Sequence, residues 1–318
     1  MLRWLIGITD YLAGDSLQQD ILRWLSPPDT WKNHHIACES RHGKSAAWFI
    51  QSDTFLKWKT SEAPSSLLWV HGKRMLMLSA YAFAETEKEI FEAGAGKSVF
   101  WSVKCLIFLS QELIVLASST IIEDIDAMRK AGLASLAFFY CDFREEEKTG
   151  LRGLISSLLF QLCHQSDSYY DVLSKFYSEH AKGLRRPSDD ALVECLKDML
   201  RLSKQAPMYL IVDALDECPN TPVIRSPRSR VLSLIEGLIK AGSPNVRICV
   251  TSRPEIDIKG VLIPLIFRSV SLHDQSEQKK DIEDYIESVI NTHPKIKGWN
   301  AKHKQLVIDA LTEKSDGM

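Results

Sequence analysis

Apolar positions along the chain follow two alternating periodicities. Short stretches are apolar at nearly every position: "LLWVHG" from Leu67, "ASLAFFYCDF" at Ala134–Phe143, "MYLIVDALDE" at Met208–Glu217, "VRICVTSRP" at Val246–Pro254 and "RSVSLHD" at Arg268–Asp274. Such runs predict strands. Between them, apolar residues recur at three- and four-residue spacing and predict helices over Ser118–Ala131, Leu151–Gln165, Tyr169–Lys182, Ser188–Ser203 and Ser229–Ala241. Strands apolar on both faces and separated by helices imply an α/β fold, a mostly parallel five-stranded sheet flanked by helices. Residues 1–66 read as helical and then loop-like, with "SLQQDILRWLSPPD" stopping at Pro27-Pro28. Residues 67–274 form the α/β core, and 275–318 begin a further helical region with one polar face.

Composition narrows the class. The chain has 318 residues, 45% hydrophobic and 25% charged, an ordinary globular profile. A net charge of −2 and a pI near 6.5 give no basic field for nucleic acid or an anionic membrane, so neither is an expected partner. Seven cysteines without C-x-x-C spacing, and no apparent secretory leader, predict reduced thiols and a cytoplasmic location. The most apolar stretch, Cys105–Ser119, carries Gln111 and Glu112 at its centre and is shorter than the roughly 20 residues a membrane span needs.

Three motifs occur in an order that suggests nucleotide chemistry. "GAGKS" at Gly94–Ser98 is most of a phosphate-binding loop. Gly94 and Gly96 would let successive N–H groups face phosphate, Lys97 would reach the β- and γ-phosphates, and Ser98 would ligate Mg²⁺, with Val99 opening the helix behind. In "YLIVDALDE", Asp213 ends an apolar strand where a second Mg²⁺ ligand is expected, and Asp216 or Glu217 is the candidate to orient or deprotonate a water. In "VTSRP", Arg253 is placed to sense a γ-phosphate. The bland alternative is an α/β domain with a glycine turn and surface acids.

Other motifs read as ordinary. "RHGKS", with Gly43-Lys44-Ser45, has no strand before it and reads as a loop entering a helix. His34, His35 and Cys38 lack a second ligand pair nearby and read as packing or surface residues rather than a metal site. Cys218 reads as buried filler, and "IRSPRSR" at Ile224–Arg230 as a solvated loop.

Taken together, "WLSPPD", "NHHIAC", "LLWVHGK", "GAGKSV", "SSTIIEDI", "FFYCDFRE", "LIVDALDECP", "VTSRPE" and "SVSLHD" resemble the NACHT domain of fungal NOD-like receptors, the type grouped with the nephrocystin N-terminal P-loop region. The resemblance runs from about Leu17 to the end. It implies a signalling P-loop NTPase using Mg²⁺ with ATP or GTP, with the sensor strand lying between the strands that carry the phosphate loop and the acids. It also implies self-association in a longer architecture whose effector and repeat domains are absent from this chain. In that family the phosphate loop follows "WVH" directly. Here Arg74–Glu92 intervenes, Phe91 stands where the first glycine belongs, and a second segment, Ser102–Ala117, interrupts the following helix. Removing both restores a continuous motif in which Gly72 supplies the first glycine. The alternative is a degenerate module that keeps the fold and has lost the nucleotide. Both segments have the length of short translated introns, so sequencing the spliced transcript across Val70–Thr120 is expected to find both removed; an abundant RNA retaining both refutes that origin.

Overall fold

The computed structural model describes residues 16–40, 47–72 apart from 62, 64 and 65, 117–271 apart from 203–205, 223, 224 and 244, and residues 301, 304 and 305. Gly94, Gly96, Lys97, Ser98, Val99, the "RHGKS" turn and nearly all of 275–318 lie outside the described residues, as do both intervening segments except Ala117.

Four helices precede the sheet: α1 (Ser16–Leu25), α2 (Thr30–Ser40), α3 (Ala47–Gln51) and α4 (Asp53–Lys59). Pro27 and Pro28 cannot continue α1, and the Asp29 carboxylate accepts the Lys32 N–H (3.1 Å) to open α2. The region is more helical than its sequence predicts. Its second half is organised by Phe49, Phe55 and Trp58, all fully buried, rather than by a periodic stripe. Ser52 caps α4 by accepting the Phe55 N–H, and the Trp58 indole donates to the Ser66 carbonyl at the entry to the sheet (3.2 Å).

The sheet consists of β1 (Ser66–His71), β2 (Ser135–Tyr140), β3 (Met208–Asp213), β4 (Val246–Ser252) and β5 (Arg268–Ser271). Its order is β2-β3-β4-β1-β5 and every pairing is parallel. The strand ending in Thr251-Ser252 therefore lies between β1 and β3, as expected. A helix described over residues 117–130, α5, precedes β2. Between β2 and β3 run α6 (Leu151–Cys163), α7 (Asp167–Glu179) and α8 (Asp189–Arg201); α9 (Pro227–Lys240) leads to β4 and α10 (Ile256–Leu262) to β5.

The sheet is buried on both sides by period-two alternation. Leu67 and Trp69 of β1, Ala137 and Phe139 of β2, and Leu210 and Val212 of β3 join a core with α1 and α6–α10. Leu68 and Val70, Phe138 and Tyr140, and Tyr209 and Ile211 face a second core with α3, α4 and α5. That arrangement explains why the strands read as continuous apolar runs.

β2 is an edge strand, and its outer backbone groups would be orphaned under α6. Two glutamines of the helical segment satisfy them. Gln161 accepts the Phe138 N–H (3.1 Å) and donates to its carbonyl (2.7 Å); Gln165 does the same for Leu136 (2.9 and 2.5 Å). Replacing both (Gln161→Leu, Gln165→Leu) leaves four backbone groups unpaired, and denaturant unfolding is expected to show a loss of about 2–4 kcal/mol, from 1–3 kcal/mol per unsatisfied group offset by partial hydration.

Candidate functional site

Parallel pairing brings the carboxyl ends of the strands to one edge. Val212 sits opposite Val250, Val70 opposite Thr251 and His71 opposite Ser252. Asp213, Thr251 and Ser252 therefore come to the same edge of the sheet, with the buried Gly72 just past the end of β1.

Asp213 is 1% exposed. Its Oδ1 accepts the Thr251 hydroxyl (2.5 Å), and the same Thr251 oxygen accepts the Ala214 N–H (2.9 Å). Ser118, near the start of the described part of α5, also hydrogen-bonds the carboxylate. Burial pushes the Asp213 carboxyl up to about 6 and the nearby Asp216 charge adds to this, while the hydrogen bonds from Thr251, Ser118 and the Ala214 amide oppose it.

Past Asp213 the chain turns sharply. Ala214 adopts a left-handed conformation (φ 53°), and Leu215–Glu217 form one turn of 3₁₀ helix. The turn sends the two acids to different tasks. Asp216 accepts the Arg253 N–H (3.0 Å) and pairs with the Arg253 Nε (3.2 Å), so the expected sensor arginine and the expected acid engage each other. Glu217 instead points toward the loop after β2, where its Oε2 accepts the Phe143 N–H (3.3 Å). Burial raises Glu217 to about 7 against that amide, and the charges of Asp142, Asp216 and Asp213 push the same way. Glu217 therefore has a proton-transfer range near neutrality.

The loop after β2 is itself anchored. Asp142 accepts two bonds from the Arg144 guanidinium (both 2.8 Å) and one from Asn33 of α2 (3.2 Å). Arg144 holds Asp142 below the usual carboxylate range. The fully buried Lys148 donates to Asn33 (2.5 Å) and pairs with Glu145 (2.8 Å). Cys218 is fully buried, as expected of filler, but its Sγ lies 3.3 Å from that of Cys141.

Sequence reasoning missed several members of this site. Tyr140 bridges α2 to Ser118: the His34 Nδ1 lies 3.0 Å from its hydroxyl, and Ser118 bonds it on the other side. His34 thus packs into a polar chain that ends at Asp213. Among the described residues no group of three or more His, Cys, Asp or Glu side chains is arranged to hold a metal ion. "IRSPRSR" is not a solvated loop throughout. Ser226 caps α9 by accepting the Ser229 N–H (3.1 Å), Pro227 takes the first turn, and Arg228 is buried. The pairing register held the signal for Thr251. Nothing local marked Ser118, Tyr140 or Arg228.

Residues 115–253, less than half of the chain, match the family model described as Nephrocystin 3, N-terminal. No curated protein matches. Among solved structures, the Aeropyrum pernix ORC2 protein in its ADPNP–ADP complexes aligns at 11% identity and TM-score 0.38, over 85% of this chain and 66% of that one. Drosophila ORC bound to AT-rich DNA and Cdc6 aligns at 10% identity and TM-score 0.32, over 96% and 43%. The chain thus spans less than two thirds of either. The family match and the sheet order together support the coarser expectation, an α/β module of the P-loop NTPase kind. No helix among the described residues is long and apolar enough to cross a membrane.

The raised carboxyls make a pH prediction. A folded-state value above the unfolded one means the native chain holds protons that the unfolded chain releases. The contribution of Asp213 is fully present below about 3.8 and is lost as pH rises through about 6. Asp213→Asn removes that loss while keeping an oxygen for Thr251. Its Tm is expected to exceed that of the wild type at pH 8 by several degrees, about 3 kcal/mol, and the gap is expected to close toward pH 4. A gap independent of pH refutes the assignment.

Proposed function

We propose that the chain is the nucleotide-binding module of a NACHT-type signalling protein, a slow NTPase working as a switch rather than a metabolic catalyst. The observation that carries this reading is the convergence of Asp213, Glu217, Arg253 and Gly72 at the carboxyl edge of a parallel sheet whose sensor strand lies between β1 and β3. The edge is where ligands of open α/β sheets bind. The family match over 115–253, starting where the second intervening segment ends, supports the same reading.

In this reading Gly72, Gly94, Gly96, Lys97, Ser98 and Val99 form the phosphate cradle. Mg²⁺ would be held by Ser98 and Asp213, and when bound it neutralises phosphate charge. The donors fit a hard cation: a buried carboxylate whose ionisation is costly without a counter-charge, beside hydroxyl oxygens of Thr251 and Ser118. Mg²⁺ keeps several waters and takes only one or two protein carboxylates, so a larger acidic cluster is not required. Glu217, with its carboxyl near neutrality, orients or deprotonates the attacking water, and Asp216 holds Arg253 until a γ-phosphate competes for the guanidinium. Exchange and hydrolysis of ATP or GTP bias a closed-to-open equilibrium, and the open form self-associates in the cytoplasm.

A second reading is favoured by Phe91 and the segment Arg74–Glu92, which divide the loop: a pseudo-NTPase that keeps the fold without the nucleotide. Titration calorimetry with Mg-ATP separates the two. The version lacking 74–92 and 102–117 is expected to bind at least tenfold more tightly than the intact chain. Equal affinity refutes the divided-loop account, and binding by neither version refutes the nucleotide reading.

A further inference from the structure

We infer that Arg228 is a positioning residue, one that fixes Glu217 and Arg253 relative to each other by tying the turn after β3 to the segment after β4. The inference rests on the nucleotide reading for its catalytic meaning, and on geometry alone for the tie itself.

The Arg228 side chain is only 6% exposed, and its guanidinium faces two loops at once. Toward the acid turn, Nε donates to the Cys218 carbonyl (2.9 Å) and an Nη donates to the Asp216 carbonyl (2.5 Å). Those two carbonyls bracket Glu217. Toward the segment after Arg253, the other Nη pairs with Glu255 and with Asp257 (3.3 Å). The Arg228 N–H donates to the Pro219 carbonyl (3.2 Å), so backbone and side chain hold the same turn. Asn220 adds a bond to Asp257 (3.0 Å).

The geometry suits arginine and not lysine. A planar guanidinium presents donors in fixed directions, and here they serve two carbonyls on one side and two carboxylates on the other. An ammonium could answer the carboxylates but could not hold both carbonyls in the same pose. The tie also runs parallel to a second one, Asp216 to Arg253. With both in place, the turn bearing Glu217 and the segment bearing Arg253 move as one body. Releasing Arg228 frees the Asp216 and Cys218 carbonyls, and Glu217 can swing away from the Phe143 amide toward solvent.

The test compares the 318-residue wild-type chain with Arg228→Met and Arg228→Lys, well below the melting temperature of each. Amide hydrogen exchange is read over 214–220 and 253–258, and the Glu217 carboxyl is titrated by carbon NMR. Arg228→Met is expected to speed exchange in both segments together by about tenfold or more, with the interiors of β3 and β4 unchanged. Its Glu217 titration is expected to fall from about 7 toward the ordinary 4.5. Arg228→Lys is expected to recover the melting temperature but neither of those two readouts, which a merely structural role would restore together. Where the wild type hydrolyses Mg-ATP, both variants are expected to lose at least tenfold in kcat with Kd for Mg-ATP changed less than threefold. Unchanged exchange and titration in Arg228→Met, or full recovery of both in Arg228→Lys, overturns the inference. Absence of hydrolysis both in the wild type and in the version lacking 74–92 and 102–117 sinks the NTPase reading instead, while exchange and titration still decide the role of Arg228.

Discussion

A carboxylate taken almost wholly out of water has to be given hydrogen bonds or neutralised. At Asp213 this constraint shapes everything near it. Thr251 turns its hydroxyl to the carboxylate and its lone pair to the Ala214 amide, which sets where the chain leaves β3. Ser118 approaches from α5, and Tyr140 and His34 continue the polar chain into α2. One buried charge thus fixes the relative placement of three strands and two helices, and the register of β3 against β4 delivers Thr251 to it.

Outside that centre, the loops at the sheet edge are rigid because their polar groups have several obligations each. Asp142 answers Arg144 and Asn33; Asp216 answers Arg253; Arg228 answers two carbonyls and two carboxylates. Glu217 is the exception. It accepts a bond from the Phe143 amide, sits among like charges, and keeps a proton affinity near neutrality. The edge is thus mostly locked, with one acid left adjustable.

The sheet was plain in the sequence because parallel interior strands are buried on both faces, so "LAFFY", "YLIVD" and "ICVT" carry no polar interruption. The placement of Asp213, Glu217 and Arg253 at one edge followed from each lying just past such a run. What could not be read depends on partners distant in the chain. Arg228 sits in a cluster that looks like exposed surface, and only the fold brings carbonyls and carboxylates around it. Gln161 and Gln165 look like the polar face of a helix, yet they complete an edge strand. The helices over Ala47–Gln51 and Asp53–Lys59 are held by three buried aromatics whose cavity does not exist until the sheet forms. "GAGKS" at Gly94–Ser98 is the reverse case, conspicuous in the sequence and outside the described residues.

The glutamines on β2 bear on the order in which the chain assembles. Gln161 and Gln165 lie 23 and 29 residues from the groups they satisfy, whereas Tyr140 meets Asp213, and Ser66 meets Arg247, only across much longer stretches of chain. Closing the longest of these loops costs roughly 1.5 kcal/mol more in chain entropy than closing the glutamine contacts. During synthesis β2 and α6 can therefore form a local unit early, with the outer edge of the strand already occupied before its inner partner has left the ribosome. A nascent parallel strand is most exposed to misassociation while it waits for distant pairing. Here half of that exposure is removed by the next helix in line.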